Sequence, residues 1–396
     1  MMIDMKDVTM VIAGIGGYGS TVLKFTLDKL EGWGVKLVGA VDPAWEKAPC
    51  WPALEAMGVP HFDSLEEFYK THKADLAMIC TPIQFHEEHA ILAMRNGSDV
   101  LCEKPIAATL PQAERMAQVA RETGRNLNIG FQLSYVPAVL ELKKDIMAGV
   151  FGAPISFKTL TCWPRNSDYY ARPWCARLKK NGQYVLDSIA MNACAHYMHV
   201  LYFLLGSTME TSAEPEWLEG ILCRANDIET FDTAALRIRA AGAELDFMAT
   251  HTCHEKVDPQ IVLTFEKAVI KIAETREEDA IHAVFHDGTV KNYGAVRTDF
   301  YNKIPYCSDV VRGLKWPICT VETATPHLKT INAITQHIPV VNLPGCKNEN
   351  QVTVVEGLQE CLQEAFAAGK MPWELTDRFG APTRVELKNY TWEDKL

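Results

Sequence analysis

A chain of 396 residues is too long for one small core and suits two domains. Hydrophobic residues at 48% and charged residues at 22% exclude a disordered or collagen-like chain. The net charge of -11, from 39 Lys and Arg against 50 Asp and Glu, argues against a nucleic-acid binder and against an anionic membrane as partner.

Asp4, Lys6 and Asp7 interrupt the N-terminal stretch, and the short apolar run behind them meets glycines, so no signal peptide is expected there. Residues 8–13 are a β-branched apolar run, as a buried parallel strand should be. A helical pattern follows from 18 to about 30, then strands at 35–41, 74–80, 99–102 and 126–130. Helices at 65–71, 87–96 and 110–123 fall between them, the last two closed by Gly97 and Gly124. Strand and helix alternating at this spacing predict an α/β domain with a doubly wound parallel sheet over residues 1–133.

From 134 the rhythm changes. A helix at 136–148 leads to a strand at 155–161, a long aromatic loop at 163–174 and a helix at 189–205. Alternating segments at 218–225, 233–239, 245–251, 261–265 and 268–272 read as antiparallel strands, and helices return at 323–336 and 352–368. Residues 134–396 are therefore expected to form an α+β domain for substrate binding and oligomerisation. The twelve cysteines include no C-x-x-C pair, and several lie in apolar runs, which suits reduced thiols in a cytoplasm. The longest late apolar run, 198–205, is far below the roughly 18 residues of a membrane span.

Gly14-Ile15-Gly16-Gly17-Tyr18-Gly19 is a G-x-G-x-x-G motif in its required setting, after a strand and opening a helix. Gly14 permits the turn, Gly16 lets backbone approach a pyrophosphate, and Gly19 allows close helix packing. Gly17 and Tyr18 complete the cofactor turn. Asp42, at the end of the second strand, is placed to accept from a ribose 2′-hydroxyl and would repel a 2′-phosphate, so NAD is expected over NADP.

Thr81-Pro82-x-x-x-His86 ends one strand, and Glu103-Lys104-Pro105 follows the next, with Gly97 and Val100 between. Glycine motif, T-P-x-x-x-H, helix ending in Gly and E-K-P, in that order, resemble the Gfo/Idh/MocA oxidoreductases, a family that includes glucose–fructose oxidoreductase and inositol dehydrogenase. Gly130-Phe131 and Gly149-x-x-Gly152 extend the resemblance to at least Gly206. It implies a Rossmann domain followed by an α+β domain with a largely antiparallel sheet, and a nicotinamide cofactor. It also implies a sugar, polyol, cyclitol or glycoside substrate, and cofactor contacts for Thr81, Pro82 and Glu103. Lys104 takes the family lysine's place beside the nicotinamide and the reacting hydroxyl, where an ammonium stabilises developing alkoxide charge. His86, at a helix start, is expected near the cofactor; a helix-start histidine with no direct role is the alternative. Relatives commonly pair through the second-domain sheet, so a homodimer or homotetramer is expected.

The family's second catalytic element is D-x-x-x-H on a helix that runs to a glycine. Here Asp187 fits the aspartate counted forward from Gly182, whereas His196, with Asn192 one turn before it, fits counted back from Gly206. The second alignment makes His196 the base and Asn192 a substrate orienter on the same helix face, with Asp187 as reserve base. Trp163, Arg165, Tyr169, Tyr170, Arg172 and Trp174 crowd one loop. Aromatic faces stack on sugar rings and arginines bind hydroxyls or carboxylates, which makes Trp163, Arg165, Tyr169 and Tyr170 substrate candidates; a subunit-contact loop is the other reading. His86/His89, His196/His199, His251/His254 and His282/His286 offer pairs without a third ligand, so no metal is expected. Beside the dehydrogenase reading stand a glycoside-cleaving enzyme that uses retained NAD for transient oxidation, and a non-catalytic sugar sensor on the same fold.

Overall fold

The computed structural model describes residues 7–275, 277–297, 300–348 and 350–396; Asp4 and Lys6, read above as breaking up the N-terminal stretch, lie outside them. The chain divides into two compact units. The first holds residues up to Ala107, Pro111–Tyr135 and Phe300–Ala324, and the second holds Ala108–Leu110, the chain from Val136 up to that late segment, and Thr325–Leu396. The division differs from a single boundary at 133 in one main respect: the late segment from Phe300 folds into the first unit.

Six strands make the first unit's sheet: β1 (Val8–Ala13), β2 (Val35–Val41), β3 (His61–Phe62), β4 (Leu76–Ile79), β5 (Asp99–Cys102) and β6 (Leu127–Ile129). Their order is β3-β2-β1-β4-β5-β6 and every pairing is parallel. Strands so paired are covered on both faces, which explains why Met10, Ile12, Leu76, Met78, Val100 and Leu101 are all fully buried. The order reverses between β1 and β4, and at such a point the strands' carboxyl ends leave an open crevice. Gly14 follows β1, Thr81 comes just after β4, and Glu103 follows β5, so all three motifs converge there. The late segment is tied in by hydrogen bonds: the Ile129 amide donates to the Cys319 carbonyl at 2.7 Å, and the Arg312 side chain donates through Nη2 to the carbonyls of Trp33 and Gly34 at 3.0 and 2.7 Å.

The second unit opens its sheet with β7 (Pro154–Cys162). A small hairpin, β8 (Lys179–Lys180) and β9 (Gln183–Tyr184), stands apart. Then come β10 (Pro215–Arg224), β11 (Thr233–Ala240), β12 (Ala243–Thr250), β13 (Val257–Phe265), β14 (Ala268–Glu274), β15 (Asp279–Phe285), β16 (Val290–Gly294) and β17 (Val340–Asn342). A second two-stranded piece, β18 (Cys346–Lys347) and β19 (Thr353–Val354), precedes β20 (Thr383–Glu386), which pairs with β10. The main order is β16-β15-β14-β13-β7-β12-β11-β10-β17, antiparallel except for the β7–β12 and β10–β17 pairs. Leu160, Ala235 and Met248 meet Leu358, Leu362, Ala365 and Phe366 of the helix Leu358–Ala368 in one buried cluster. The alternating residues Phe157, Leu236 and Phe247 are fully buried as well, so this part of the sheet is covered on both faces.

Three helical segments differ from expectation. The helix expected from 18 to about 30 is α-helical over Tyr18–Thr26 and passes into a 3-10 turn, Leu27–Lys29. The stretch 189–205 is not one α-helix. A π-turn, Ile189–Ala193, is followed by Cys194 outside helical geometry and then by the α-helix Ala195–Leu204. The stretch 352–368 is helical only over Leu358–Ala368, because Gly357 adopts φ 73° and Thr353–Val354 pairs as a strand.

Candidate active site

The glycine turn is built for close backbone contact. A Cβ on Gly14 would stand 2.7 Å from the backbone of Cys80 and Thr81, and Gly14 itself holds φ 85°; a Cβ on Gly19 would stand 2.0 Å from the Gly14 carbonyl oxygen. The turn therefore packs directly on the start of the T-P motif. The helix Tyr18–Thr26 begins with no side-chain cap and no acid in its first turn, which leaves its N-terminal amides and positive dipole end to a phosphate. Asp42 braces the turn. One carboxylate oxygen accepts from the Ile15 and Gly16 amides at 3.0 Å each, and the other accepts from Ala44 at 2.9 Å. A carboxylate has lone pairs beyond these three bonds, so Asp42 can also accept from ribose hydroxyls. Glycine cradle, uncapped helix start and acid at the end of β2 fit a dinucleotide.

His86 and Glu103 are both taken up inside the first unit. His86 is buried, and its two ring nitrogens lie 2.8 Å from the carbonyl oxygens of Pro105 and Thr81. It thereby pins the T-P turn to the E-K-P turn, and burial pushes its pKa down. The Glu103 carboxylate fills the space that a side chain at Gly130 would need and accepts from Lys303 Nζ at 2.5 Å. Lys303 is wholly buried; burial works against its charge, yet Glu103 and then Tyr18 hold its pKa above the ordinary value. Lys303 Nζ also reaches the Tyr18 hydroxyl at 3.4 Å, which links the glycine turn to E-K-P. Lys104, next to Glu103, is half-buried. Sequence reasoning missed Lys303, because its partner stands 200 residues away.

In the second unit Asp187 is the hub. It is 2% exposed, and its oxygens accept from the Ala176 amide at 2.5 Å and from Asn192 Nδ2 at 2.9 Å. Its carbonyl accepts from Thr230 Oγ1 at 2.6 Å. Burial pushes its pKa up, against the pull of those donors and of Arg172. Ala176 and Leu186, which flank the hub, hold left-handed φ values of 51° and 52°. Such geometry costs non-glycine residues about 1–3 kcal/mol each and collects at functional sites. The π-turn breaks the expected Asn192–His196 helix face: Asn192 sits in the turn with its amide on Asp187, and His196 lies in the first turn of the next helix, 9% exposed. Asp187 and Asn192 thus act as one unit, joined through the turn capped by Ser188.

The aromatic loop joins this hub. Arg172 donates through Nε to the Tyr169 carbonyl at 2.9 Å and through Nη2 to Cys175 Sγ at 3.4 Å. Tyr169 stacks edge-on against Tyr170 and His251, and Trp163 packs edge-on against Tyr197. Burial pushes the Tyr169 and Tyr170 hydroxyls up, so both stay protonated donors. His251, absent from the expected substrate set, donates from Nδ1 to the Trp163 carbonyl at 2.8 Å. Among the described residues no group of three His, Cys, Asp or Glu side chains is arranged to hold a metal, and no helix is long and apolar enough to cross a membrane.

Residues 8–131 match the Gfo/Idh/MocA family model, described as an oxidoreductase family with an NAD-binding Rossmann fold. Inositol 2-dehydrogenase of Rubrobacter xylanophilus is 26% identical over 166 residues, 42% of this chain and 46% of that protein. D-glucoside 3-dehydrogenase of Escherichia coli is 36% identical over 80 residues, 20% and 23% of the two chains. The alignments therefore span less than half the length of these two curated relatives. The crystal structure of myo-inositol 2-dehydrogenase from Lactobacillus plantarum superposes with a TM-score of 0.67 at 21% identity, over 84% of this chain and 97% of that one, which establishes a shared fold. The motifs in the switch-point crevice and the match over the same residues lead to one assignment: residues 8–131 form an NAD-binding Rossmann domain similar to that of the Gfo/Idh/MocA oxidoreductases.

Proposed function

We propose that the protein is an NAD-dependent oxidoreductase that moves a hydride between a secondary hydroxyl of a sugar, cyclitol or glycoside and nicotinamide. The observation that carries this reading is the convergence of the glycine turn, the T-P turn and E-K-P on one crevice, with half-buried Lys104 beside an anchored Glu103. NAD, when bound, supplies the hydride acceptor. Lys104 holds the carbinol oxygen and favours its deprotonation. His196 accepts the hydroxyl proton on an imidazole nitrogen. Asn192, its amide donating to Asp187, presents its carbonyl oxygen to a substrate hydroxyl.

The test is a screen of sugars, cyclitols and glycosides with NAD, reading reduced nicotinamide and product together. At least one substrate should be oxidised with matching NADH. Lys104→Ala and His196→Ala should each lower kcat on the order of 10²-fold with NAD affinity little changed. Absence of NAD reduction across the screen would refute the reading. Near-normal turnover in His196→Ala with collapse in Asp187→Asn would move the base to Asp187.

A further inference from the structure

The aromatic loop holds two arginines that form no ion pair among the described residues. Arg115, Arg177, Arg237, Arg312 and Arg384 each meet a carboxylate within 4 Å. Arg165 and Arg172 meet none among the described residues. Their guanidinium groups lie instead against rings: Arg165 is 4.8 Å from the Tyr169 centroid and 5.6 Å from Trp163, and Arg172 is 4.0 Å from Tyr169 and 4.7 Å from Trp174. A stacked guanidinium keeps its in-plane N–H donors for another partner. Arg172 spends two of its own on Tyr169 and Cys175. Arg165 spends none, and its Nε is buried with no acceptor.

Other groups around Arg165 are in the same condition. Among the described residues Trp163 Nε1 and the Tyr170 hydroxyl are buried donors without partners, and His251 Nε2 is a buried nitrogen without one. His251 stays neutral because burial, and then the charge of Arg165, push its pKa down to about 3. With Nδ1 donating to a carbonyl, Nε2 is an acceptor. The loop opens on a concavity of about 530 Å³ lined by Arg165, Asn166, Asp168, Tyr169, Arg172 and Asn350. Among the described residues its one lining acid, Asp168, accepts from Asn166 rather than from either arginine. Just outside, Lys347 donates to Ser167 Oγ at 2.7 Å and adds a third cation. In a chain of net charge -11, Arg165, Arg172 and Lys347 gather three cations at one place. Aromatic walls with both donors and an acceptor suit a hydroxylated ring, whereas an unneutralised guanidinium calls for an anion.

We propose that Arg165 receives an anionic group of the substrate, a carboxylate or a phosphate, so that the protein acts on acidic sugars in preference to neutral polyols. This rests on the proposed oxidoreductase function and on the sequence reading of Arg165 as a substrate candidate. The NAD-loaded protein is assayed with D-glucuronate, D-glucose 6-phosphate and methyl glucoside, which separates carboxylate, phosphate and neutral arms. One anionic arm should exceed the neutral arm at least tenfold in kcat/KM. Arg165→Gln should raise KM for that arm on the order of 10- to 100-fold, a far larger rise than on the neutral arm, with NAD affinity little changed. Equal rates on neutral and anionic arms, or an equal loss on both in Arg165→Gln, would overturn the proposal. Should nothing be oxidised, the oxidoreductase reading falls by itself. Calorimetric binding of glucuronate and glucose 6-phosphate to the wild type and Arg165→Gln then decides the subsite: tight binding lost in the variant supports it, and no binding by either protein refutes it. A thermal melt confirms that the variant is folded, and Arg165→Lys should recover part of the binding.

Discussion

Asp42 does two jobs with one carboxylate. It braces the glycine turn through the amides of Ile15 and Gly16, and on the expected reading it also accepts from a ribose hydroxyl. Two like charges 4 Å apart cost about 4 kcal/mol at an effective dielectric of about 20, so a 2′-phosphate is penalised there. NAD should therefore bind at least tenfold tighter than NADP in a fluorescence titration. Asp42→Ala should weaken NAD and shrink the ratio; tighter NADP binding by the wild type would show that this carboxylate does not select the cofactor. Glu274 is a second residue whose setting has a measurable consequence. It is 4% exposed, accepts from the Tyr197 hydroxyl, and burial pushes its pKa from 4.5 up to about 7. Between those values the unfolded chain has released a proton that the folded chain retains. Stability therefore falls as pH rises from about 4.5 through 7, by on the order of 3 kcal/mol, and levels off above. Glu274→Gln should flatten that part of a urea-denaturation series taken from pH 4.5 to 8. An unchanged slope would show that Glu274 titrates normally.

Elements with strong periodicity and terminal signals were legible in the sequence. The helix expected at 110–123 is Leu110–Thr123, and the parallel strands fall within a residue or two of their expected places. The T-P-x-x-x-H and E-K-P strings were legible as strings. What binds them was not, since His86 holds two backbone carbonyls and Lys303 reaches Glu103 from a distant segment. The π-turn was hidden because Ile189–Leu205 is apolar nearly throughout, and such a run carries no mark of where helical pitch changes. Strands β15 and β16 lie at a half-exposed sheet edge, where hydrophobic alternation is weak. The helix Leu358–Ala368 was expected, but its place on the sheet was not. It covers β7 and β12 with Leu362 at its centre, wholly buried. Leu362→Ala should cost about 2–5 kcal/mol in chemical denaturation. A loss under about 1 kcal/mol would mean that the helix contributes little to the second unit's stability.

At the scale of the whole molecule, the outer face of the ten-stranded sheet bears on self-association. The expectation of a homodimer or homotetramer rests on a sheet face that needs cover. The chain's own helix Leu358–Ala368 covers the middle of that face, which narrows the argument to the far edge. There a cross-strand row runs Ser156, Thr264, Val269, Val284 and Val290 by register, and its last two valines are 43% and 58% exposed. The next row runs Lys158, Val262, Lys271, His282 and Asn292 by register, so toward the sheet edge one line ends in valines and the other in polar side chains, as the core and rim of an interface do. Edge strands also offer unpaired backbone groups, and a second copy can satisfy both needs at once. Light scattering at low micromolar concentration should give two or four times the 44.3 kDa of one chain. Val284→Glu together with Val290→Lys should shift that mass toward the monomer without loss of NAD binding. A wild-type mass of 44.3 kDa would overturn the expectation and leave the strip as ordinary exposed surface.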